Sequence, residues 1–222
     1  METTTDRRQE RIEQVNLGGL TPTYIYGKRC FDFVASFVGL LLLSWVFLII
    51  GLLIKLTDPH GKVFYSQTRL GKNGREFQMW KFRSMVTDAD KMVDKLLEQN
   101  EVQGPMFKIK DDPRITKVGR FLRKYSLDEL PQLYNVLKGD MSLVGPRPPL
   151  PREVVNYTDY DKQRLAVIPG VTGLWQISGR SDLGFSEMIA LDIRYINNAC
   201  FSQDIKILFE TILVVVHPSG AY

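Results

Sequence analysis

The chain has 222 residues, 44% of them hydrophobic, enough for one domain with a buried core, so disorder and repeat arrays are excluded. Its 29 Lys and Arg against 25 Asp and Glu leave a net charge of +4, too small for a polybasic nucleic-acid binder, and no nucleic-acid partner is expected. Two cysteines (Cys30, Cys200) outside any C-x-x-C pair and two histidines (His60, His217) argue against a disulfide framework, a structural zinc or a His-based triad, which leaves carboxylates, cations and backbone groups.

Residues 1–27 are polar and read as a loose tail or surface helix. From Phe33 to Ile54 there is no charge, and these roughly 22 residues would form a helix of about 33 Å, close to the thickness of a bilayer's hydrocarbon core. A signal peptide would lie nearer the start and end at a small-residue cleavage site, whereas Lys55 and Leu56 follow directly. A membrane-inserted helical anchor is therefore predicted over residues 28–56, followed by a folded domain over 57–222. Lys28 and Arg29 at one end balance Lys55 and Lys62 at the other, so charge does not orient the segment, and both a re-entrant and a spanning course fit. Ser44 can return a hydrogen bond to backbone freed by a bend, although no proline forces one. The mean hydropathy of −0.12 conceals this segment.

A hairpin follows: Val63–Gln67, then Gly71-Lys72-Asn73-Gly74, then Glu76–Phe82, the Asn-Gly pair suiting positive φ. Alternation in the second strand places Phe77, Met79, Lys81 and Arg83 on one face. Thr87–Asn100 reads as a helix with Met92, Val93, Leu96 and Leu97 apolar. Thr116 can cap a helix running to Tyr125, with Val118, Phe121 and Leu122 inward and Lys117, Arg120, Arg123 and Lys124 forming a basic, anion-collecting face. Asp204–Val216 is an apolar-rich helix with Ile205, Leu208, Phe209, Ile212 and Val216 on one side, suited either to the core or to a membrane surface. The predicted fold class is α+β: mostly helical, with a small β-hairpin, one N-terminal membrane helix and amphipathic interfacial helices.

The densest chemistry lies between Asp111 and Arg152. Ser126 and Glu129 match S-x-x-E, a capping box in which both side chains satisfy free amides. Against that, Pro131 has no amide hydrogen and starts the regular helix, which leaves Asp128 and Glu129 at its positive end, where an anionic nucleophile or a ligand for a divalent cation is favoured. Adjacent helical residues point about 100° apart, so one carboxylate can hold a cation while its neighbour addresses another atom. Gly139 suits the helix C-cap. Prolines on both sides of Arg147 fix its backbone and suit phosphate recognition, or simply a rigid loop. The stretch Pro169–Arg180 offers backbone amides, an aromatic and an arginine but matches neither G-x-x-x-x-G-K-[ST] nor G-x-G-x-x-G.

Read together, Lys28-Arg29-Cys30-Phe31-Asp32, Phe64–Gly71, Lys81-Phe82-Arg83-Ser84-Met85, Leu127–Ser142, Val144-Gly145-Pro146-Arg147-Pro148 and Pro169-Gly170-Val171-Thr172-Gly173 resemble the bacterial sugar transferases known as monotopic phosphoglycosyl transferases, over residues 28 to about 216. The resemblance implies transfer of a hexose-1-phosphate from a UDP-sugar to undecaprenyl phosphate with release of UMP. It places the enzyme at the cytoplasmic face of the bacterial cell membrane, in the first membrane step of exopolysaccharide or capsule assembly. It implies Asp128 as a covalent nucleophile, Glu129 as ligand of Mg2+, and Lys81, Arg83, Arg123 and Arg147 as candidates for binding the diphosphate or the lipid phosphate. Leu191-Asp192-Ile193-Arg194-Tyr195 also resembles the family, with a nucleotide or structural role. Trp175–Asp182 resembles hexose-specific members, with galactose and glucose the leading sugars. Relatives often have Ser-Pro where this chain has Ser44-Trp45, and a basic residue where it has Ile168. Larger relatives carry a multi-span region ahead of the unit, so this chain is expected to be the minimal form. The lipid bilayer is an expected partner, and apolar C-terminal and membrane surfaces allow a homo-oligomer. The competing readings are a magnesium-dependent membrane-bound phosphodiesterase that uses the same carboxylates and water, and a non-enzymatic membrane-tethered scaffold.

Overall fold

The computed structural model describes residues 15–92, 96, 109, 111–179 and 183–216. The chain is mostly helical with two small sheets. Helix α1 (Pro22–Leu42) begins ahead of the hydrophobic run, with Pro22 in the first turn and Thr21 capping the Tyr24 amide at 3.2 Å. The expected single helix over residues 33–54 is instead broken. Leu43 leaves helical geometry and α2 (Ser44–Thr57) departs at 59° to α1. No proline is needed, because Ser44 Oγ donates to the Leu41 carbonyl at 2.8 Å and supplies a partner at the break. No single helix among the described residues is long and apolar enough to cross a membrane, but the bent pair passes that test together by length and composition.

One side of the bent pair packs on the domain. Ile50 and Ile54 are buried against Phe82 and Leu122, and burying each such side chain stabilises the fold by about 1.5–3 kcal/mol. The polar residues of α1 are docking groups rather than the flanking charges expected of a membrane segment. Lys28 pairs with Asp204 at 2.8 Å, and Arg29 donates to the Val136 and Leu137 carbonyls at 2.6 and 2.8 Å. Buried Asp32 accepts from the Leu143 amide at 3.0 Å. The other side is apolar and exposed, through Phe37, Leu41, Trp45, Leu48, Leu52 and Leu56.

Strands β1 (Phe64–Leu70) and β2 (Glu76–Phe82) pair antiparallel, with Phe64 opposite Phe82 and Leu70 opposite Glu76. Asn73 and Gly74 adopt φ of 56° and 75°, as the Asn-Gly pair predicts, but within a longer loop containing a 3-10 turn at Lys72–Gly74. Phe77 and Met79 face the core with Val136 and Met141. Of the helix expected at Thr87–Asn100, Ala89–Met92 forms a 3-10 turn and Leu96 is helical and buried, while the remainder lies outside the described residues.

Helix α3 (Lys117–Lys124) has its predicted Thr116 cap, with Thr116 Oγ1 accepting from the Gly119 amide at 2.9 Å. Leu122 is buried, but Phe121 is turned outward against Tyr125, contrary to the inward face expected of it. Helix α4 (Gln132–Lys138) ends at Gly139 with φ of 95°, the left-handed cap anticipated. A second sheet was not foreseen: β3 (Ser142–Val144) pairs in parallel with β4 (Gly170–Thr172). Here the glycine-rich stretch has a packing reason, since a methyl group at Gly170 would lie 2.1 Å from the Gly145 amide nitrogen.

Short helices α5 (Pro151–Val154), α6 (Asp159–Lys162) and α7 (Leu174–Ser178) lead to α8 (Phe185–Asn197) and α9 (Phe201–Val216). The inner side of α9 is Asp204 and Ile207; Ile205, Phe209, Ile212 and Val216 are exposed. The residues expected to form its apolar face thus point away from the core, apart from half-buried Leu208, which packs on the Val144–Ile196–Ile207 cluster. Asp204 joins three elements by accepting from Tyr24, Lys28 and Tyr195.

Candidate active site

The turn that carries Asp128 and Glu129 is built differently from the capping box. Ser126 takes a left-handed conformation, φ 54°, and its side chain makes no cap bond. Leu127–Glu129 forms a 3-10 turn, and α4 starts only after Pro131. Glu129 is thereby released from backbone duty and aimed at β2. Lys81 Nζ donates to Glu129 Oε1 at 2.6 Å, and Arg147 reaches the same oxygen at 3.6 Å.

The alignment of turn and strand is enforced by Asn135, which is 1% exposed. Its Oδ1 accepts from the Trp80 amide at 3.0 Å and its Nδ2 donates to the Gln78 carbonyl at 2.7 Å. The side chain imitates a neighbouring strand on the open edge of β2, so α4 and the turn before it cannot slide past Lys81. On the other flank, Gly119 lets α3 approach the backbone of Ser84, where a methyl group would meet the Ser84 carbonyl oxygen at 1.8 Å. Arg123 on α3 then donates through Nε to Ser84 Oγ at 3.0 Å.

These groups line a cleft of about 730 Å³ that holds Lys81, Arg83, Arg123, Asp128, Glu129 and Arg147 together. Arg83 differs from the other cations. Its NH1 is committed to Asp58 at 2.6 Å and Thr87 at 2.9 Å, which ties β2 to the segment following α2. The hydrogen bond from Arg83 leads the influences that hold the Asp58 carboxyl down at about 2.

The electrostatics separate the two carboxylates. Burial pushes Asp128 above the ordinary aspartate range; Lys81 and Arg123 oppose that shift and Glu129 adds to it. Glu129 is also penalised by burial, but the charges of Lys81 and Arg147 prevail and hold it at about 2. Burial draws Lys81 and Arg123 downward, against the pull of the carboxylates. One carboxylate is thus kept ionised by fixed cations, while burial makes ionisation of its neighbour unfavourable.

Sequence reasoning missed Arg69, which lines the same cleft and is 8% exposed. It donates to the Pro148 carbonyl and to Gln67, both at 3.0 Å, and burial, reinforced by the charge of Arg147, lowers it to about 10. Strand alternation gives no reason for a buried cation there; only its presence in the Thr68-Arg69-Leu70-Gly71 segment marked it. Asn135 and Ser84 were also missed as supports, although both stand in the quoted segments. Arg180, Ser181 and Asp182 lie outside the described residues.

Among the described residues, no three His, Cys, Asp or Glu side chains converge on a point, so there is no all-protein cage for a metal. Magnesium commonly takes only one or two carboxylates and draws its other ligands from phosphate and water. Asp128 and Glu129, in a cleft rich in phosphate-binding cations, fit that donor set.

The profile described as "Bacterial sugar transferase" matches residues 23–218. The chain is 48% identical over 200 residues to "Galactosyl transferase CpsE" of Streptococcus agalactiae, covering 90% of this chain and 44% of that protein. It is 46% identical to "Undecaprenyl-phosphate galactose phosphotransferase" of Salmonella typhimurium, covering 88% and 41%. It is also similar to "Exopolysaccharide production protein ExoY" of Rhizobium meliloti, at 42% identity and 92% of both chains. The chain thus spans less than half the length of the first two relatives and nearly all of the third. With a profile that matches residues 23–218 and a relative 42% identical over 92% of both chains, the chain belongs to the bacterial sugar transferase family.

Proposed function

We propose that the protein is a phosphoglycosyl transferase that moves a hexose-1-phosphate from a UDP-sugar to undecaprenyl phosphate and releases UMP. The observation that carries this reading is the convergence of Lys81, Arg123 and Arg147 around Asp128 and Glu129 in one cleft. A nucleoside diphosphate sugar brings about two negative charges, which the surplus of cations can neutralise. The names of the first two relatives favour galactose, with glucose the next choice.

In the first half of the reaction a carboxylate oxygen of Asp128 attacks the phosphorus that bears the sugar. The bond from that phosphorus to the bridging oxygen breaks, and UMP leaves with the electron pair. In the second half an oxygen of the lipid phosphate attacks the phosphosugar on Asp128, and the aspartyl–phosphorus bond breaks to restore the carboxylate. Lys81 and Arg147 hold Glu129 ionised and face the diphosphate, and Arg123, fixed by Ser84, faces it from α3. Glu129 is the proposed ligand for Mg2+, which when bound would neutralise diphosphate oxygens and let a carboxylate approach phosphorus.

The exposed apolar side of α1 and α2 and the outward face of α9 suit a bilayer, with the bent pair dipping in and returning to the same side. The proposed side for the cleft is the cytoplasmic face, where UDP-sugars are made. The apolar faces also accommodate a homo-oligomer.

The decisive assay supplies radiolabelled UDP-sugar and undecaprenyl phosphate to the membrane-embedded protein. Label entering the lipid together with UMP release is expected, and both should stop on addition of EDTA and resume with Mg2+. Asp128→Asn should abolish transfer while leaving membrane association intact. UMP release without lipid product would identify a phosphodiesterase instead, and ordinary turnover by Asp128→Asn would overturn the covalent mechanism.

A further inference from the structure

Arg147 sits between two prolines, yet proline alone does not aim a side chain. The segment is held by its carbonyls. The Pro146 carbonyl accepts from the Gly170 amide at 2.8 Å, that of Arg147 from Arg164 NH2 at 3.1 Å, that of Pro148 from Arg69 NH1 at 3.0 Å, and that of Pro149 from the Leu70 amide at 3.0 Å. Four consecutive carbonyls are therefore tied to β4, to the 3-10 turn Gln163–Ala166, and to β1.

The bond at Arg147 itself has the most elaborate support. Arg164 is 8% exposed and its NH2 is paired with Asp192, which is 1% exposed on α8, while its NH1 donates to the Tyr157 hydroxyl at 3.0 Å. Among the described residues Asp192 Oδ1 and Arg164 Nε have no hydrogen-bond partner, so the pair is joined through Oδ2 and NH2 alone. A buried ion pair with unsatisfied atoms contributes little net stability, and a well-packed apolar pair would serve the core as well. What an apolar pair lacks is a charged donor turned toward the Arg147 carbonyl. Arg164 lines the cleft beside Arg147, whereas Asp192 is not part of the lining.

We propose that Asp192 and Arg164 are positioning residues for Arg147: Asp192 orients the Arg164 guanidinium, which fixes the Arg147 carbonyl and so aims the Arg147 side chain at the substrate phosphates. This rests on the reading of Arg147 as a phosphate-binding residue. It gives the Leu191–Tyr195 segment a role in the reaction without contact to any reacting atom.

The test is a double-mutant cycle on the full chain in nanodiscs, with UMP release measured against UDP-galactose or UDP-glucose and undecaprenyl phosphate. Asp192→Asn should keep a cooperative melting transition and lose roughly 10-fold to 100-fold in kcat/KM, the scale of a misplaced binding group. In an Arg147→Ala background the same change should cost less than about twofold, because the group it aims is gone. Where turnover of the double variant is too slow to follow, binding of labelled UDP closes the same cycle. If Asp192→Asn does not fold, Tyr157→Phe takes its place, since it loosens Arg164 without uncovering a charge, and the same non-additivity is expected. Losses that multiply, or an Asp192→Asn protein as active as wild type, would overturn the relay. Unchanged kcat/KM and UDP binding in Arg147→Ala alone would instead remove the phosphate-binding role of Arg147.

Discussion

Lys81 on the second strand and Glu129 on the turn before α4 form a close ion pair, 2.6 Å from Nζ to Oε1, across 48 residues of sequence. Glu129 is held at about 2, below its ordinary 4.5, so its contribution to stability is present above about 4.5 and is lost as pH falls toward 2. Replacing Lys81 with Met should flatten that acid-side loss and lower transfer roughly 100-fold. Melting profiles of both proteins between those limits decide it, and identical profiles would sink the assignment.

Asp128 has the opposite sign. Burial raises its folded-state value, so the stability tied to this group is greatest at low pH and falls as the carboxyl ionises. Asp128→Asn removes a buried group whose ionisation is disfavoured, at nearly constant shape. It should abolish transfer and raise the melting temperature at neutral pH by roughly 2–4 °C. A lower melting temperature would mean that Lys81 and Arg123 outweigh burial there.

Arg83, unlike Lys81, is paired with a carboxylate that does not line the cleft. Since its guanidinium is committed to Asp58 and Thr87, Arg83→Ala should lower thermal stability and leave the donor KM within about twofold. Asp58→Ala should reproduce the loss, and combining the two should add little. A donor KM that rises tenfold in Arg83→Ala would return this residue to the phosphate-binding set.

The glycine-rich segment yields a packing prediction. Gly170→Ala places a methyl group 2.1 Å from the Gly145 nitrogen and should destabilise the fold by about 1–3 kcal/mol. Gly39→Ala, where the new atom would meet only Leu133 at 3.4 Å within α1, should be neutral or slightly stabilising. Denaturant melts of the two variants provide the comparison, and equal stability would argue against close backbone packing of β3 and β4.

The sequence alone determined the uncharged segment, the hairpin, the Thr116 and Gly139 caps, and the family to which the Asp128-Glu129 and Pro146-Arg147-Pro148 segments belong. These are local patterns, in which spacing along the chain is the physical cause. The break at Leu43 was legible only as an option, because Ser44 had to find the Leu41 carbonyl before a bend could hold without proline. Tertiary structure alone decided the parallel pairing of β3 with β4, since three-residue strands carry no period and their partners are far apart in sequence. It also decided the fate of each charge. Ser126 and Glu129 spelled a capping box, but a left-handed Ser126 and the nearby Lys81 turned Glu129 to the cleft; Arg83 shared a strand face with Lys81, but Asp58 claimed it. A side chain's partner depends on which distant segments burial brings within about 3 Å, and no local pattern contains that distance.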